Sequence, residues 1–164
     1  MAAHDQAGAV AEAQWIVSME PALVTTDDSA AAQLVSSWAA TSAAASLNEL
    51  VRQKRAGFVD APGGPYSFDV APLAVKAAAA SADDVTVELW CAEVVWAKGK
   101  PAYGLYVTET LRMVWEGDMW RLMSSVDDAG PAVPLAPGKA PASIEDAASK
   151  LAGFGPVGLV ENGS

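Results

Sequence analysis

The stretch Val85–Val126 constrains the fold more than any other part of the chain, because it holds three β-rich runs separated by two turn clusters. The runs span residues 85–96, 103–115 and 119–126, and the turns read Lys-Gly-Lys-Pro and Glu-Gly-Asp. Runs of this kind, bounded by Gly, Pro and Asp, are typical of strands joined by hairpins. The stretch therefore predicts an antiparallel meander.

Polar and apolar residues nearly alternate in the second of these runs. Leu105, Val107 and Leu111 share one parity with Glu109, whereas Thr108 stands on the other. Successive side chains of a strand point to opposite faces, so one face is predicted to be buried and the other wetter. Glu109 is thereby predicted on the buried face, which is unusual for a carboxylate.

The other two runs predict local features of the sheet. A β-bulge is predicted near Ala92–Val94, because the alternation of the first run breaks there. The single cysteine, Cys91, is expected to be a small buried hydrophobe. The Gly-Asp pair in the last turn suits a two-residue hairpin loop, since glycine tolerates positive φ. That loop would bring Trp115 and Trp120 together.

Helical periodicity and capping residues predict three helices before the meander. Pro21 is expected to end the first helix, with a loop at Ala22–Thr26 after it. Ser46 and Glu49 match a capping box at the start of the third. Pro72 predicts an edge or bulged strand before the meander. The predicted elements are a helix at about 5–20, a second from Asp27 or Asp28 to about Thr41, a third from Ser46 to about Gly57, and a strand at 66–80.

The composition changes after Val126, where Pro and Gly become frequent. We therefore divide the chain into a domain at residues 1–130 and an exit segment at residues 131–164. The exit segment is predicted to hold a short helix at 143–152 and a loose tail. Helices followed by a meander place the domain in the α+β class. The 164 residues are enough for one such domain with a sizeable core.

The formal net charge of −10 narrows the classes of function. Binding to nucleic acid or to an anionic membrane needs a positive surface, so both are disfavoured. One histidine and one cysteine cannot form a tetrahedral nitrogen–sulfur metal site, and no P-loop or dinucleotide fingerprint occurs. We predict no metal and no cofactor. No secretory signal peptide is visible, and the uncharged stretch 29–48 is too rich in Ala, Ser and Thr for a membrane span.

Carboxylates within the predicted sheet are the remaining candidates for chemistry: Glu88 and Glu109 lie mid-strand, and Glu93 lies at the predicted bulge. A buried glutamate has a raised pKa and can act as an acid or a base. Glu88 and Glu109 are therefore candidate catalytic residues, with Tyr103 and Tyr106 as hydrogen-bond donors. The alternative is structural: Glu109 pairs with an Arg or Lys, or lies in water at one end of the sheet.

Two groups of residues are candidates for contact with protein partners. Arg52, Lys54 and Arg55 form the most basic cluster in the chain. They can contact an acidic partner, or they can match the dipole at the carboxyl end of a solvated helix. Trp90 and Tyr106 are large aromatics on the wetter parity, and such residues are enriched at interfaces. We expect them to mediate self-association or partner binding, unless the exit segment folds back over them.

Three helices followed by a meandering sheet resemble the nuclear transport factor 2-like α+β cone. Within that fold, the chain resembles actinobacterial extracytoplasmic proteins found with conjugative, type IV secretion-like gene sets. The resemblance covers about Ala7 to Pro137. It is carried by a small-residue opening helix, a first strand of the meander, an apolar strand, a Trp-x-Gly-x-x-Trp-Arg-Leu hairpin and a Pro-rich exit. These lie at Ala7–Ala13, Val85–Val95, Leu111–Trp115, Trp115–Leu122, and at Gly130, Pro131, Pro134 and Pro137.

The resemblance implies a curved sheet of about four strands with the first helix in its concavity. It also implies a non-enzymatic interaction or scaffold domain of a conjugation or secretion-like envelope apparatus, with no catalytic residues to carry over. A membrane anchor usually precedes such domains, so an extracytoplasmic, anchored protein is expected, although no anchor is seen in this chain. The alternative is a small-molecule-binding protein or an acid/base enzyme that uses the cavity of the cone. A deep closed pocket with an unpaired glutamate would favour that alternative, and a cavity filled by Trp and Met would favour the scaffold.

Overall fold

The computed structural model describes residues 2–60, 64–130 and 143–157. Within these ranges the chain forms five helices and five strands, and the predicted α+β class is confirmed. The helices are α1 (Gln6–Ser18), α2 (Glu20–Thr25), α3 (Asp28–Trp38), α4 (Ala44–Val59) and α5 (Ile144–Lys150), and the strands are β1 (Tyr66–Ser81), β2 (Asp84–Ala97), β3 (Tyr103–Glu116), β4 (Met119–Ala129) and β5 (Gly155–Pro156).

The strands form one antiparallel sheet in the order β4-β3-β2-β1-β5. The predicted meander is therefore confirmed. The sequence does not predict the fifth strand, in which Gly155–Pro156 pairs with Ala74 and Val75 of β1. The short helix expected at 143–152 is observed as α5, and Ser143 Oγ caps it by accepting from the N–H of Asp146. The expected loose tail is thus tied to the sheet as far as β5.

One face of the sheet packs against the helices and forms the core. We call this face the inner face and the opposite one the outer face. α1 lies across the inner face and contacts all four long strands. Its small residues Ala9 and Ala13 are fully buried, which lets the helix backbone approach the sheet. Large buried side chains complete the core, among them Val35, Leu89, Leu111, Met113 and Trp120.

A break between α1 and α2 replaces the single helix expected up to Glu20. α1 ends at Ser18, and α2 begins at Glu20 with Pro21 in its first turn. Proline is tolerated there because the first N–H groups of a helix have no intrahelical acceptor. The prediction that Pro21 ends a helix and that Ala22–Thr26 is a loop is therefore wrong. The break leaves the side chain of Glu20 largely shielded from solvent.

α4 begins earlier than predicted. Its N-cap is Ala43, which has no capping side chain, and Ser46 Oγ donates a hydrogen bond to the carbonyl of Ala43. The capping box predicted from Ser46 and Glu49 is therefore wrong. α4 also continues beyond Gly57, so its basic residues lie in the body of the helix and not in its last turn.

β2 alternates without interruption along its whole length. Its register with β3 is continuous over Asp84–Val95, so the bulge predicted near Ala92–Val94 is wrong. The irregularity lies in β1, where the register with β2 shifts between Pro72 and Ala74, as the proline predicts. The unbroken alternation of β2 puts Glu93 on the inner face, where it is buried.

The β3–β4 hairpin has the predicted two-residue loop. Gly117 and Asp118 have φ values of 60° and 69°, as a type I′ turn requires. Trp115 and Trp120 are cross-strand neighbours with ring centroids 5.5 Å apart. His4 stacks on Trp115 with a centroid distance of 4.1 Å. The hairpin therefore holds the start of the chain as well as its own strands.

Candidate ligand-binding site

A cavity of about 290 Å³ lies between the helices and the β3–β4 side of the sheet. Its wall is mostly apolar, and its charged side chains are those of Glu20, Lys54 and Asp127. Trp38 also lines it, and the buried indole nitrogen of Trp38 meets no acceptor among the described residues. The apolar lining includes Ile16 and Leu23 from the first helices, Leu47 and Val51 from α4, and Leu111 and Leu122 from the sheet.

An ion pair occupies one end of this cavity. The Nζ of Lys54 lies 2.6 Å from Oε2 of Glu20 and 3.8 Å from Oδ2 of Asp127. The side chain of Glu20 is 16% exposed and that of Asp127 is 49% exposed, so the Glu20–Lys54 pair is the better shielded from water. Lys54 thereby connects α4 with α2 and with the last long strand.

Two more carboxyl groups lie beside this ion pair. Glu109 is fully buried and stands opposite Asp127 in the β3–β4 register. Carboxyl oxygens of Glu20, Glu93 and Glu109 lie within 4.8 Å of one another. By hydrogen-bond geometry neither carboxyl oxygen of Glu109 has a partner among the described residues, although its carboxyl group is close enough to Glu20 to act to lower the pKa of Glu20. We call these four acidic residues, together with Lys54, the carboxyl cluster.

Burial sets the protonation of the carboxyl cluster. Loss of hydration and the nearby negative charge of Glu20 raise the pKa of Glu109 to about 9, although the positive charge of Lys54 acts to lower it. Burial also raises the pKa of Glu20 and that of Glu93, again opposed by Lys54. Burial alone would lower the pKa of Lys54, but the carboxylate of Glu20 holds it above its usual range. At neutral pH Lys54 is therefore charged and Glu109 is neutral.

This arrangement can hold a proton, a cation or a polar group of a ligand. A neutral Glu109 can share its proton with the carboxylate of Glu20, as closely spaced acids do. The spacing of the three glutamate oxygens would also suit a hard divalent cation, for which carboxylates are preferred ligands. The ammonium of Lys54 already bonds Glu20 there, so we assign the positive charge of this site to Lys54.

The residues predicted for acid/base chemistry are not brought together. Glu109 lies on the inner face, whereas Glu88 lies on the outer face, where its carboxylate is 3.0 Å from Nζ of Lys76. Tyr103 begins β3 and is 48% exposed. Tyr106 is on the outer face as well. Of the predicted set, only Glu109 belongs to the carboxyl cluster.

The structure separates the three residues of the basic cluster. Arg52 is exposed and pairs with Glu49 on the same helix. Arg55 donates to the carbonyl oxygens of Leu23 and Val24 and so holds the end of α2. Lys54 belongs to the cavity. Surface contact with an acidic partner, as predicted from the sequence, would therefore depend chiefly on Arg52.

The predicted aromatic contact residues do lie side by side. Trp90 and Tyr106 stack on the outer face with ring centroids 5.2 Å apart. Both are partly buried, and the indole nitrogen of Trp90 meets no acceptor among the described residues. The alternative that the exit segment covers them concerns mainly residues 131–142, which lie outside the described ranges.

Sequence reasoning missed Glu20 and Asp127 and misplaced Glu93. Glu93 could have been found, because it shares the parity of the buried Leu89 and Cys91. Asp127 could not have been found by parity. The β3–β4 register shifts by one residue next to Met113, so Asp127 reaches the inner face although its parity is opposite to that of the buried Leu122. The position of Glu20 depends on the break between α1 and α2, which the sequence did not predict.

Fold and site together define an α+β protein with a lined cavity between its helices and an antiparallel sheet. No protein-family model, curated protein or solved structure matches the chain. Among the described helices, none combines the length and the apolar character needed to cross a bilayer.

Proposed function

We propose that this protein binds a small, mainly apolar molecule in the cavity between its helices and its sheet. The observation that carries the proposal is the cavity itself, about 290 Å³ with an apolar wall and a charged end. Sites for small molecules have this composition and start at about 300 Å³. Protein cores are otherwise close-packed, and unfilled space costs stability. A cavity of this size is therefore better explained as a binding site than as loose packing.

The surroundings of Glu109 support the same proposal. The carboxyl oxygens of Glu109 meet no hydrogen-bond partner among the described residues, and the cavity lies beside the carboxyl cluster. Trp38 is among the residues that line the cavity, whereas the buried Met113 and Trp120 are not. Glu20 lines the cavity and Glu109 does not, so proton exchange with a bound molecule would pass through Glu20.

Titration with a neutral naphthylamine dye, which fluoresces in apolar surroundings, tests this proposal. We expect saturable enhancement at one site per chain. Val51→Phe should weaken dye binding by about tenfold or more, a loss of about 1.4 kcal/mol, because Val51 lines the cavity and the ring takes up its space. Val59→Phe, at the exposed end of the same helix, is the matched control and should leave the affinity unchanged.

Two outcomes would overturn the proposal. One is the absence of saturable binding to the unaltered protein. The other is equal dye affinity in the Val51→Phe and Val59→Phe variants, provided that circular dichroism shows both to be folded. In either case the space between the helices and the sheet would have no role as a binding site.

A second candidate function is the scaffold role that the resemblance implies, in an extracytoplasmic conjugation or secretion-like apparatus. The observation that favours it is the stacked Trp90–Tyr106 pair on the outer face. Four helices on one side of a five-stranded antiparallel sheet are compatible with the nuclear transport factor 2-like cone. In this role the outer face binds protein, and the cavity is secondary.

A further inference from the structure

The charge balance of the carboxyl cluster restricts what the cavity can bind. The cluster contains four carboxyl groups and one ammonium, that of Lys54. Lys54 is already held between Glu20 and Asp127. A carboxylic acid ligand would bring a fifth carboxyl group to this end of the cavity and find no free cation there. Like charges at this short range repel one another, and Glu20 is largely shielded from water, so an anionic head group is disfavoured.

A positively charged head group of a ligand would offset part of the excess of negative charge in the carboxyl cluster. Glu20 and Asp127 are the carboxylates that line the cavity, and the single ammonium of Lys54 is shared unequally between them. The distance of 3.8 Å from Nζ of Lys54 to Oδ2 of Asp127 is too long for a hydrogen bond. Asp127 can therefore accept a hydrogen bond from a ligand without losing one to Lys54. A charge-assisted bond of this kind is about twice as strong as one between neutral groups.

The rest of the cavity suits an apolar body. Ile16 and Leu23 lie on the helical side of the cavity, and Leu111 and Leu122 lie on the side of the sheet. Burial of such a body contributes about 25 cal/mol for each Å² of apolar surface removed from water. The apolar wall thus supplies most of the affinity, and the charged end selects among head groups.

We propose, as a refinement that rests on the proposed function, that the ligand is a hydrophobic amine. Its ammonium group binds at Asp127 and Glu20, and its apolar part lies between the helices and the inner face. A neutral molecule of the same shape binds more weakly, and the matching carboxylate binds most weakly.

Displacement of the naphthylamine dye by three matched molecules tests this inference. Phenylbutylamine, phenylbutanol and phenylbutyrate share one apolar body and differ in the charge of the head group. We expect the amine to bind at least about tenfold more tightly than the alcohol, equivalent to about 1.4 kcal/mol, and the carboxylate to bind least. The net charge of −10 attracts any cation weakly, so the comparison is repeated at raised salt, where this long-range attraction is screened and the short-range contact with the shielded Glu20 is less affected.

Three variants locate the preference. Asp127→Asn and Glu20→Gln should each reduce the advantage of the amine over the alcohol while leaving binding of the alcohol nearly unchanged. Glu88→Gln makes the same change of charge on the outer face and should keep the full advantage. Asp127 is half exposed and not essential to the core, so Asp127→Asn should fold even if Glu20→Gln does not.

The outcomes separate the two proposals. Equal affinity for amine and alcohol, or an amine preference that Asp127→Asn leaves intact, would refute the amine inference and leave the cavity as a binding site. Failure of all three molecules and of the dye to bind would remove the proposed function and the inference with it.

Discussion

At the scale of single residues, the burial of Glu109 carries an electrostatic cost. The residue is fully buried, faces Asp127 across the strands, and has no hydrogen-bond partner among the described residues. The positive charge of Lys54 is close enough to act to lower the pKa of Glu109, but the ammonium forms its hydrogen bond with Glu20 and not with Glu109. An unpaired buried charge costs far more than a neutral acid, so Glu109 keeps its proton.

The raised pKa of Glu109 predicts how stability depends on pH. The unfolded chain loses this proton above about pH 4.5, whereas the folded chain keeps it up to about pH 9. The contribution of Glu109 to the free energy of unfolding is therefore fully present below about pH 4.5. It is lost as the pH rises toward about pH 9, by about 1.4 kcal/mol for each pH unit between these two values. Glu109→Gln removes this loss. We expect the variant to match the unaltered protein at about pH 5 and to exceed its free energy of unfolding by at least about 2 kcal/mol at about pH 8.

Urea unfolding at the two pH values measures this difference without adding salt. Glu88→Gln, which changes an outer-face glutamate, should stay within about 0.5 kcal/mol of the unaltered protein at both. The free energy of unfolding of Glu109→Gln will still depend on pH, since burial also raises the pKa of Glu20 and that of Glu93. A variant that is less stable at the higher pH would show that Glu109 is ionised and paired in the fold.

The sequence predicts the position of Glu109 but not its surroundings. Alternation within β3 is a local property, and it is enough to place the residue on the buried face. The neighbours of Glu109 come from α2, α4 and β4, so they depend on how distant segments meet. Lys54 illustrates the difficulty. Its sequence neighbours Arg52 and Arg55 indicate a solvated basic face, yet the helix turns Lys54 toward the acidic end of the cavity.

At the scale of elements, the β3–β4 hairpin joins the sheet to the start of the chain. Trp120 is fully buried, contacts Trp115, and donates a hydrogen bond of 2.9 Å from Nε1 to the carbonyl of Ala3. His4 stacks on Trp115 and lies 2.6 Å from Asp83 at the β1–β2 turn. A single hairpin thus secures the N-terminal segment and one edge of the core.

Loss of the Trp120 ring should therefore be severe. We expect Trp120→Ala to lower the free energy of unfolding by about 3–5 kcal/mol, as usual for a buried tryptophan, because it leaves a void and an unpaired carbonyl at Ala3. Trp15→Ala is the control for loss of a tryptophan, since Trp15 is 44% exposed and its removal should cost less than about 1 kcal/mol. Thermal melting that shifts Trp120→Ala by only a degree or two would contradict this expectation.

Elements were predictable where a short stretch decides them. The Gly117-Asp118 turn and the alternation of β3 are local, and both predictions are confirmed. Pro21 indicated the end of the first helix but not the start of a second one, because the packing of α2 against α4 and β1 involves distant segments. β5 has two residues, too few for any periodic pattern, and forms only because β1 offers an unpaired edge.

At the scale of the whole molecule, ion pairs and stacked aromatic rings share the outer face of the sheet. The chain carries a net charge of −10, yet on this face Lys76 pairs with Glu88 and Arg112 pairs with Asp84. The stacked Trp90 and Tyr106 rings lie on the same face. Ion pairing offsets part of the negative charge on this face, and aromatic residues are enriched at interfaces, so the outer face is a candidate surface for contact between two copies.

We therefore predict that the protein self-associates through the outer face. Light scattering should show a dimer that increases with concentration, and also with added salt, because salt screens the repulsion between two acidic copies. Trp90→Ala should weaken dimerisation by about tenfold or more, since aromatic residues at the centre of an interface often dominate its energy. Trp15→Ala removes an exposed tryptophan from α1 and should leave dimerisation unchanged. A monomer at every concentration and salt level would refute this prediction, and with it the support that the outer face gives to the scaffold role.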